Sequence, residues 1–250
     1  MMQPQKLYQQ IADSIAKSIA EGLYAPGARL PAERDLAQEF KVSRPTIREA
    51  MIALEIRGLV GARKGSGIYV NATLPTSGGS APAELDVGAF ELVEARTLFE
   101  GEAAALAATA ITPQSIDVLR DCVSEMEAAV DNHAALAADK RFHIMIAEAS
   151  GNSLVRSVVE MLWTVREKSP LCIHMFEQAQ REGVTPRAAE HQSIVDAIAA
   201  GDPQLARNAM RAHLRRVTDD LLEATELDLV QKARADFAAQ RTRVVKRNSI

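Results

Sequence analysis

Only 2 cysteines occur in 250 residues, and aromatic side chains make up 4% of the chain. Cys122 and Cys172 are far apart, lie among apolar neighbours and lack CxxC spacing. That argues against a disulfide framework and leaves buried, reduced thiols. So few rings leave little to stack on unpaired bases, so any nucleic-acid partner is expected to be duplex. Long apolar runs are missing too. The longest stretch of small apolar residues, Ala103 to Ile111, is far short of the ~20 residues a membrane-spanning helix requires. The opening MMQPQKLYQQIADSIAKSIAEG is polar and amphipathic, without the apolar core of about 7–15 residues that a secretory signal carries. No membrane partner and a cytoplasmic location are therefore expected.

What is present is a chain that is 47% apolar, able to bury a sizeable core and long enough for two ordinary domains. The net charge of −4 is unevenly spread. Residues 1–71 hold 10 lysines and arginines against 7 acids, leaving 19 against 26 for the remainder. A basic module joined to an acidic one suits a division between phosphate attraction and another task.

Leu7, Ile11, Ile15 and Ile19 recur every four residues, one stripe down a first helix. After Gly22 and the Pro26-Gly27 turn, Pro31 opens a second short helix with Leu36, Ala37 and Phe40 inward. Ser43 reads as the N-cap of a third, with Pro45 in its first turn and Gly58 stopping it. The pattern then changes to Leu59-Val60, a basic glycine-rich tip from Arg63 to Gly67, and Ile68-Tyr69-Val70, which together predict a hairpin. Residues 1–71 are thus expected to form a winged helix-turn-helix, and the Gly, Pro and Ser-rich stretch 72–85 a flexible linker.

Beyond the linker no β-alternation is evident. Helical stripes run over about 88–110, 113–132, 134–150, 154–168, 186–200 and 203–226, so six or seven helices in a bundle are expected over residues 86–230. The fold class is therefore mainly α. The basic stretch 231–250 loses apolar periodicity after Phe237 and reads as a frayed tail.

The third helix presents Arg44, Thr46 and Arg48 at its N-terminal end, away from the apolar stripe. That end of a recognition helix enters the major groove, where an arginine fork reads guanine and hydroxyls such as those of Ser43 and Thr46 take phosphate or a base edge. Arg34 would face the same groove or its flanking phosphate. At the hairpin tip Lys64 supplies charge, while Gly65 and Gly67 allow close approach to a sugar-phosphate chain. Alone, two arginines and a threonine on a helix are a solvated face; their conjunction with the helix-turn-helix pattern and a basic wing predicts binding to double-stranded DNA.

The run RLPAERDLAQEFKVSRPTIREAMIALEIRGLVGARKGSGIYV resembles the DNA-binding domain of the GntR family of bacterial transcription factors across Leu30 to Val70. That resemblance implies DNA contacts from Arg34, Arg44, Arg48 and the wing-tip glycine.

Five histidines occur in the chain. Asp139 and His143 are four apart and share one helix face. His191 sits beside the buried stripe of Ile194, Val195 and Ile198, and His213 beside that of Met210, Leu214 and Val217. Singly, each histidine reads as a satisfied, half-buried side chain. Together, an aspartate and three histidines offer donors suited to Zn2+, Ni2+ or Mn2+, although spacing alone does not bring distant helices together. Residues 88–222 resemble the FCD ligand-binding domain of the FadR subfamily through FELVEARTLFEGEAA, DKRFHIMIAEASGN, EHQSIVDAIAAGD and AMRAHL, in order. The resemblance implies a metal, zinc first, held by Asp139, His143, His191 and His213; His133 and His174 match nothing and are left as surface or structural residues.

The same resemblance implies that Arg96 faces a small carboxylate effector, a role a guanidinium fork beside a cation would suit. The competing reading of Arg96 is a salt bridge to Glu100 or Glu94. Asn152 is a candidate for effector binding or a helix cap, and Arg166 for effector binding. FELVEARTLFEGEAA, RFHIMIAEASGNSLV and LWTVREKSPLC are similar to the hexuronate-responsive repressors of this subfamily, which implies a sugar acid such as glucuronate or galacturonate. A homodimer on a near-palindromic operator is expected. Two rival readings are a regulator for which the metal itself is the signal and a metal-dependent hydrolase. The chain lacks HExxH and a nucleophile elbow, so no catalytic residue is assigned and no enzyme is expected.

Overall fold

The computed structural model describes residues 6–63, 67–72 and 87–247, with side chains for all of these but 62–63 and 226–247. It is mainly α, and its contacts divide it into two compact units, Met1–Phe90 with Leu222–Ile250, and Glu91–Leu221.

The first unit begins with α1 (Leu7–Ala20), α2 (Glu33–Phe40) and α3 (Arg44–Ile56). The four-residue stripe of α1 buries Ile11, Ile15 and Ile19, whereas Leu7 stays exposed at its start. Pro31 lies just outside α2, whose N-cap is Ala32. The turn between α2 and α3 is made by Lys41 at φ 55, and the Ser43 side chain accepts from the Thr46 N–H to cap α3. α3 ends in a Schellman motif: Gly58 takes φ 71, its N–H donates to Glu55 O at 2.8 Å, and the Leu59 N–H donates to Leu54 O at 3.0 Å. β1 (Val60–Arg63) and β2 (Gly67–Val70) then pair antiparallel, Val60 opposite Val70. The other edge of β2 is taken by residues 27–30, through Leu30 N–H to Ile68 O and Val70 N–H to Ala28 O. This is the winged helix-turn-helix expected from the sequence.

The second unit holds α4 (Ala89–Ala110) from its third residue on, then α5 (Pro113–Ala128), α6 (Asn132–Ala149), α7 (Ser153–Lys168), α8 (Pro170–Arg181), α9 (Ala188–Ala199) and the first part of α10 (Pro203–Arg247). α8 is an element the periodicity did not single out, although Ser169 caps it and Pro170 opens it. α6 packs against α5 and α7, and α5 against α9. Ala103, Ala147, Val159 and Trp163 form a core cluster among α4, α6 and α7. α10 corrects the expected tail: the backbone stays helical through 231–247, and residues from Leu222 on belong to the first unit. The expected linker falls, from residue 73 on, outside the described residues.

Candidate functional site

At the DNA-reading head the expected residues separate into two groups. Arg34 and Arg44 are free of the core, with side chains 78% and 64% exposed. Ser43 and Thr46 sit at the start of α3, their hydroxyls 2.7 Å apart. Gly67 opens β2 at φ +105, where a side chain would meet the guanidinium of Arg29. Arg29 is therefore a second cation on the wing that the sequence reading did not pick out. Lys64 and Gly65 lie outside the described residues.

Arg48 departs from the expectation of an exposed contact. Its side chain is only 7% exposed, and it donates to Glu33 from Nε (3.1 Å) and Nη2 (2.8 Å) and to the Leu222 carbonyl from Nη1 (3.0 Å). The reason is local. α3 is buried continuously from Ile47 to Leu54, and Glu33 on α2 turns towards it, so the arginine satisfies a carboxylate within the first unit instead of facing solvent.

In the second unit, the buried stripe of α6 contains Ala135, Ala138, Asp139, Phe142, His143, Ile146 and Ala147, which sets a carboxylate and an imidazole into an otherwise apolar face. α9 adds His191 and α10 adds His213, all four residues buried. One ligand atom from each of Asp139, His143, His191 and His213 lies within 4.8 Å of the others. His191 Nε2 is 2.9 Å from Asp139 Oδ1. His143 Nε2, 3.4 Å from the same oxygen, makes no hydrogen bond. The His143 and His191 rings each pack T-shaped with the Phe142 ring, with centroids 5.6 and 5.0 Å away.

The Nδ1 atoms of the three rings face groups outside the cluster, that of His143 by close approach without hydrogen-bond geometry. His143 Nδ1 lies 2.5 Å from Glu100 Oε2, His191 Nδ1 is 2.9 Å from the Arg187 carbonyl, and His213 Nδ1 is 3.1 Å from Glu190 Oε2. Burial opposes ionisation of Asp139, but its close contacts with His143 and His191 hold its pKa well below the usual carboxylate range. Burial pushes His213 down to about 4, which leaves it neutral. Burial also works against the charged form of His143, yet the charge of Glu100 and the contact with Asp139 raise its pKa. A buried anion, a neutral imidazole and an orphaned imidazole nitrogen at this spacing fit a divalent cation.

Beside the cluster is a partly open pocket with about 600 Å3 of empty space, a figure that includes open solvent. Asp139 and His213 are on its wall together with Arg96, Arg166, Phe176 and Glu190. Arg166 lies over Trp163 and Phe176, 4.9 and 4.3 Å from their ring centroids. Its Nε makes no hydrogen bond, and no carboxylate among the described residues ion-pairs with it. Burial pushes its pKa down to about 10, so it remains a cation at neutral pH. Arg96 lines the pocket and pairs with Glu100 through Nε at 2.6 Å, the salt bridge of the competing sequence reading. Glu94 is not its partner. Of the two readings of Asn152 the cap is the one seen: exposed, and absent from this pocket's wall, it accepts from the Leu154 N–H at the start of α7. His133 is exposed and His174 half-buried, and neither belongs to the cluster.

These two parts, a winged helix-turn-helix and a helical domain with a buried polar cluster, define a DNA-binding regulator with a second, helical module. The model of the GntR family of bacterial regulatory proteins matches residues 7–70, and that of the FCD domain matches residues 91–216. The chain is 36% identical over 229 residues to the Exu regulon transcriptional regulator of Escherichia coli K12, covering 90% of this chain and 88% of that one. It is 35% identical over 234 residues to the Uxu operon transcriptional regulator of the same organism, covering 90% of each, and 35% identical over 226 residues to the Uxu operon regulator of Haemophilus influenzae, covering 89% and 85%. The chain belongs to the GntR family, with an FCD domain, and is a DNA-binding transcription regulator rather than an enzyme. No helix among the described residues is long and apolar enough to cross a membrane.

Proposed function

We propose that this regulator is a cytoplasmic homodimeric repressor whose FCD domain senses a sugar acid, glucuronate or galacturonate, beside a divalent metal held by Asp139, His143, His191 and His213. The observation that carries the reading is the meeting of four metal-type donors from three helices at the wall of a pocket that also holds Arg96 and Arg166. Zinc is the preferred ion, with Ni2+ or Mn2+ as alternatives, since imidazole and carboxylate donors suit all three. When bound, the ion supplies positive charge against which an acid or hydroxyl oxygen can seat. Arg166, a cation with no carboxylate partner, is the residue best prepared to take the effector carboxylate, because it gains an ion pair without first breaking one. Arg96 contributes from the adjacent wall while still paired to Glu100. The branch named for Exu and Uxu operons supports a sugar acid as the effector.

Repression is relieved only if the acid binds the DNA-incompetent state more tightly than the competent one. An operator mobility shift, with Zn2+ or Ni2+ added and then stripped, with and without glucuronate, tests this. Metal-loaded protein is expected to release DNA when glucuronate is added. Release by chelation alone, with no effect of any acid, would favour the second reading, a metal-responsive regulator.

A further inference from the structure

Two carboxylates stand between pocket-lining guanidinium groups and cluster histidines. Glu100 is bonded by the Arg96 guanidinium from Nε at 2.6 Å and from Nη2 at 3.3 Å, while its Oε2 lies 2.5 Å from His143 Nδ1. Glu190 repeats the arrangement elsewhere in the bundle. Its Oε1 takes Arg187 Nη1 at 3.2 Å and Arg216 Nε at 2.7 Å, and its Oε2 faces His213 Nδ1 at 3.1 Å. Arg187 also offers its carbonyl to His191 Nδ1 at 2.9 Å and its Nη2 to Asp220 at 2.9 Å. Neither glutamate belongs to the four-residue cluster, and in His143 the glutamate faces Nδ1 while Nε2 faces Asp139.

We propose that Glu100 and Glu190 are positioning residues for the metal, each clamped between a pocket-lining arginine and a cluster histidine so that the ring is fixed with Nε2 turned inward. The inference rests on the metal reading above. A carboxylate at Nδ1 sets the tautomer and the ring orientation and makes the opposite nitrogen a better donor. The two relays differ in environment. Glu100 is 2% exposed at its side chain and Glu190 21%, so the first is dry and the second sits at the pocket wall where water screens it. Because Arg96 and Arg187 both line the pocket, a molecule that engages either guanidinium touches a residue bonded to a metal-positioning carboxylate. In the sequence, the only signs were Glu100 one helical turn after Arg96 and Glu190 immediately before His191.

The test is Zn2+ affinity of the full chain by competition with a chromophoric chelator, together with the visible spectrum of the Co2+-loaded protein. Glu100→Gln and Glu190→Gln are compared with Glu102→Gln, which removes a carboxylate paired to Arg207 and Arg211 outside the cluster. The relay predicts a loss of about 10- to 100-fold in Zn2+ affinity for the first two and an altered Co2+ band, with circular dichroism unchanged and Glu102→Gln within about twofold of the parent. Glu100→Gln leaves Arg96 buried without its partner and can impair folding; Glu190→Gln, at a partly exposed position flanked by two arginines, carries the test in that event. Unchanged affinity and an unchanged Co2+ spectrum in Glu190→Gln overturn the relay while leaving the metal site standing. A parent protein that takes up no Zn2+ overturns the metal reading itself, and the relay with it.

Discussion

Arg44 and Arg48 are one helical turn apart, yet the first is in water and the second is enclosed by Glu33 and the Leu222 carbonyl. Their substitutions should therefore fail differently. Arg44→Ala is expected to weaken operator binding by about tenfold, the loss typical of one arginine contact, with little change in melting temperature. Arg48→Ala strands a largely buried Glu33, a kind of loss that costs about 3–5 kcal/mol in fully buried pairs, so it should lower the melting temperature as well as the affinity. Equal melting temperatures in the two variants would contradict the enclosed position of Arg48. In the FCD domain the contrast lies between Arg166 and Asn152. Arg166→Ala should abolish the thermal shift produced by glucuronate, whereas Asn152→Ala should keep it and lose about 1 kcal/mol of stability as a lost cap. Loss of the ligand response in Asn152→Ala would return that residue to the effector site.

At the scale of elements, local signals decided what could be read. Ser43, Pro45 and Gly58 bracket α3 because capping, φ and hydrogen-bond needs at helix ends are set within a few residues. Gly58 holds φ 71 in the turn that leads into β1. Gly58→Ala should therefore destabilise the protein by about 1–2 kcal/mol, the cost of a left-handed residue with a side chain, read as a lower midpoint in urea. α8 escaped notice because Leu171, Cys172, Met175 and Ala179 make only a short stripe in 12 residues, though the Ser169-Pro170 cap was there to see. The continuation of α10 to Arg247 was hidden for another reason: helix is kept there without the apolar periodicity from which helices are read. The enclosure of Arg48 was beyond reach as well, since it depends on Leu222, 174 residues away.

For the whole molecule, the two-part layout was readable from composition, since charge and hydrophobic period both change along the chain. The cluster was readable only as a list. Asp139 and His143 share a face by spacing, but their meeting with His191 and His213 is a fact of packing between helices, and it needed either the family resemblance or the coordinates. The pocket itself, and the carboxylates behind the histidines, came from the structure alone. The proposed function requires acid and metal to share one site. Calorimetric titration of glucuronate into Zn2+-loaded protein, into chelator-stripped protein and into His143→Ala tests it directly. Saturable heat in the loaded protein, absent from the other two, is the predicted result; equally tight binding of glucuronate to the stripped protein would contradict it.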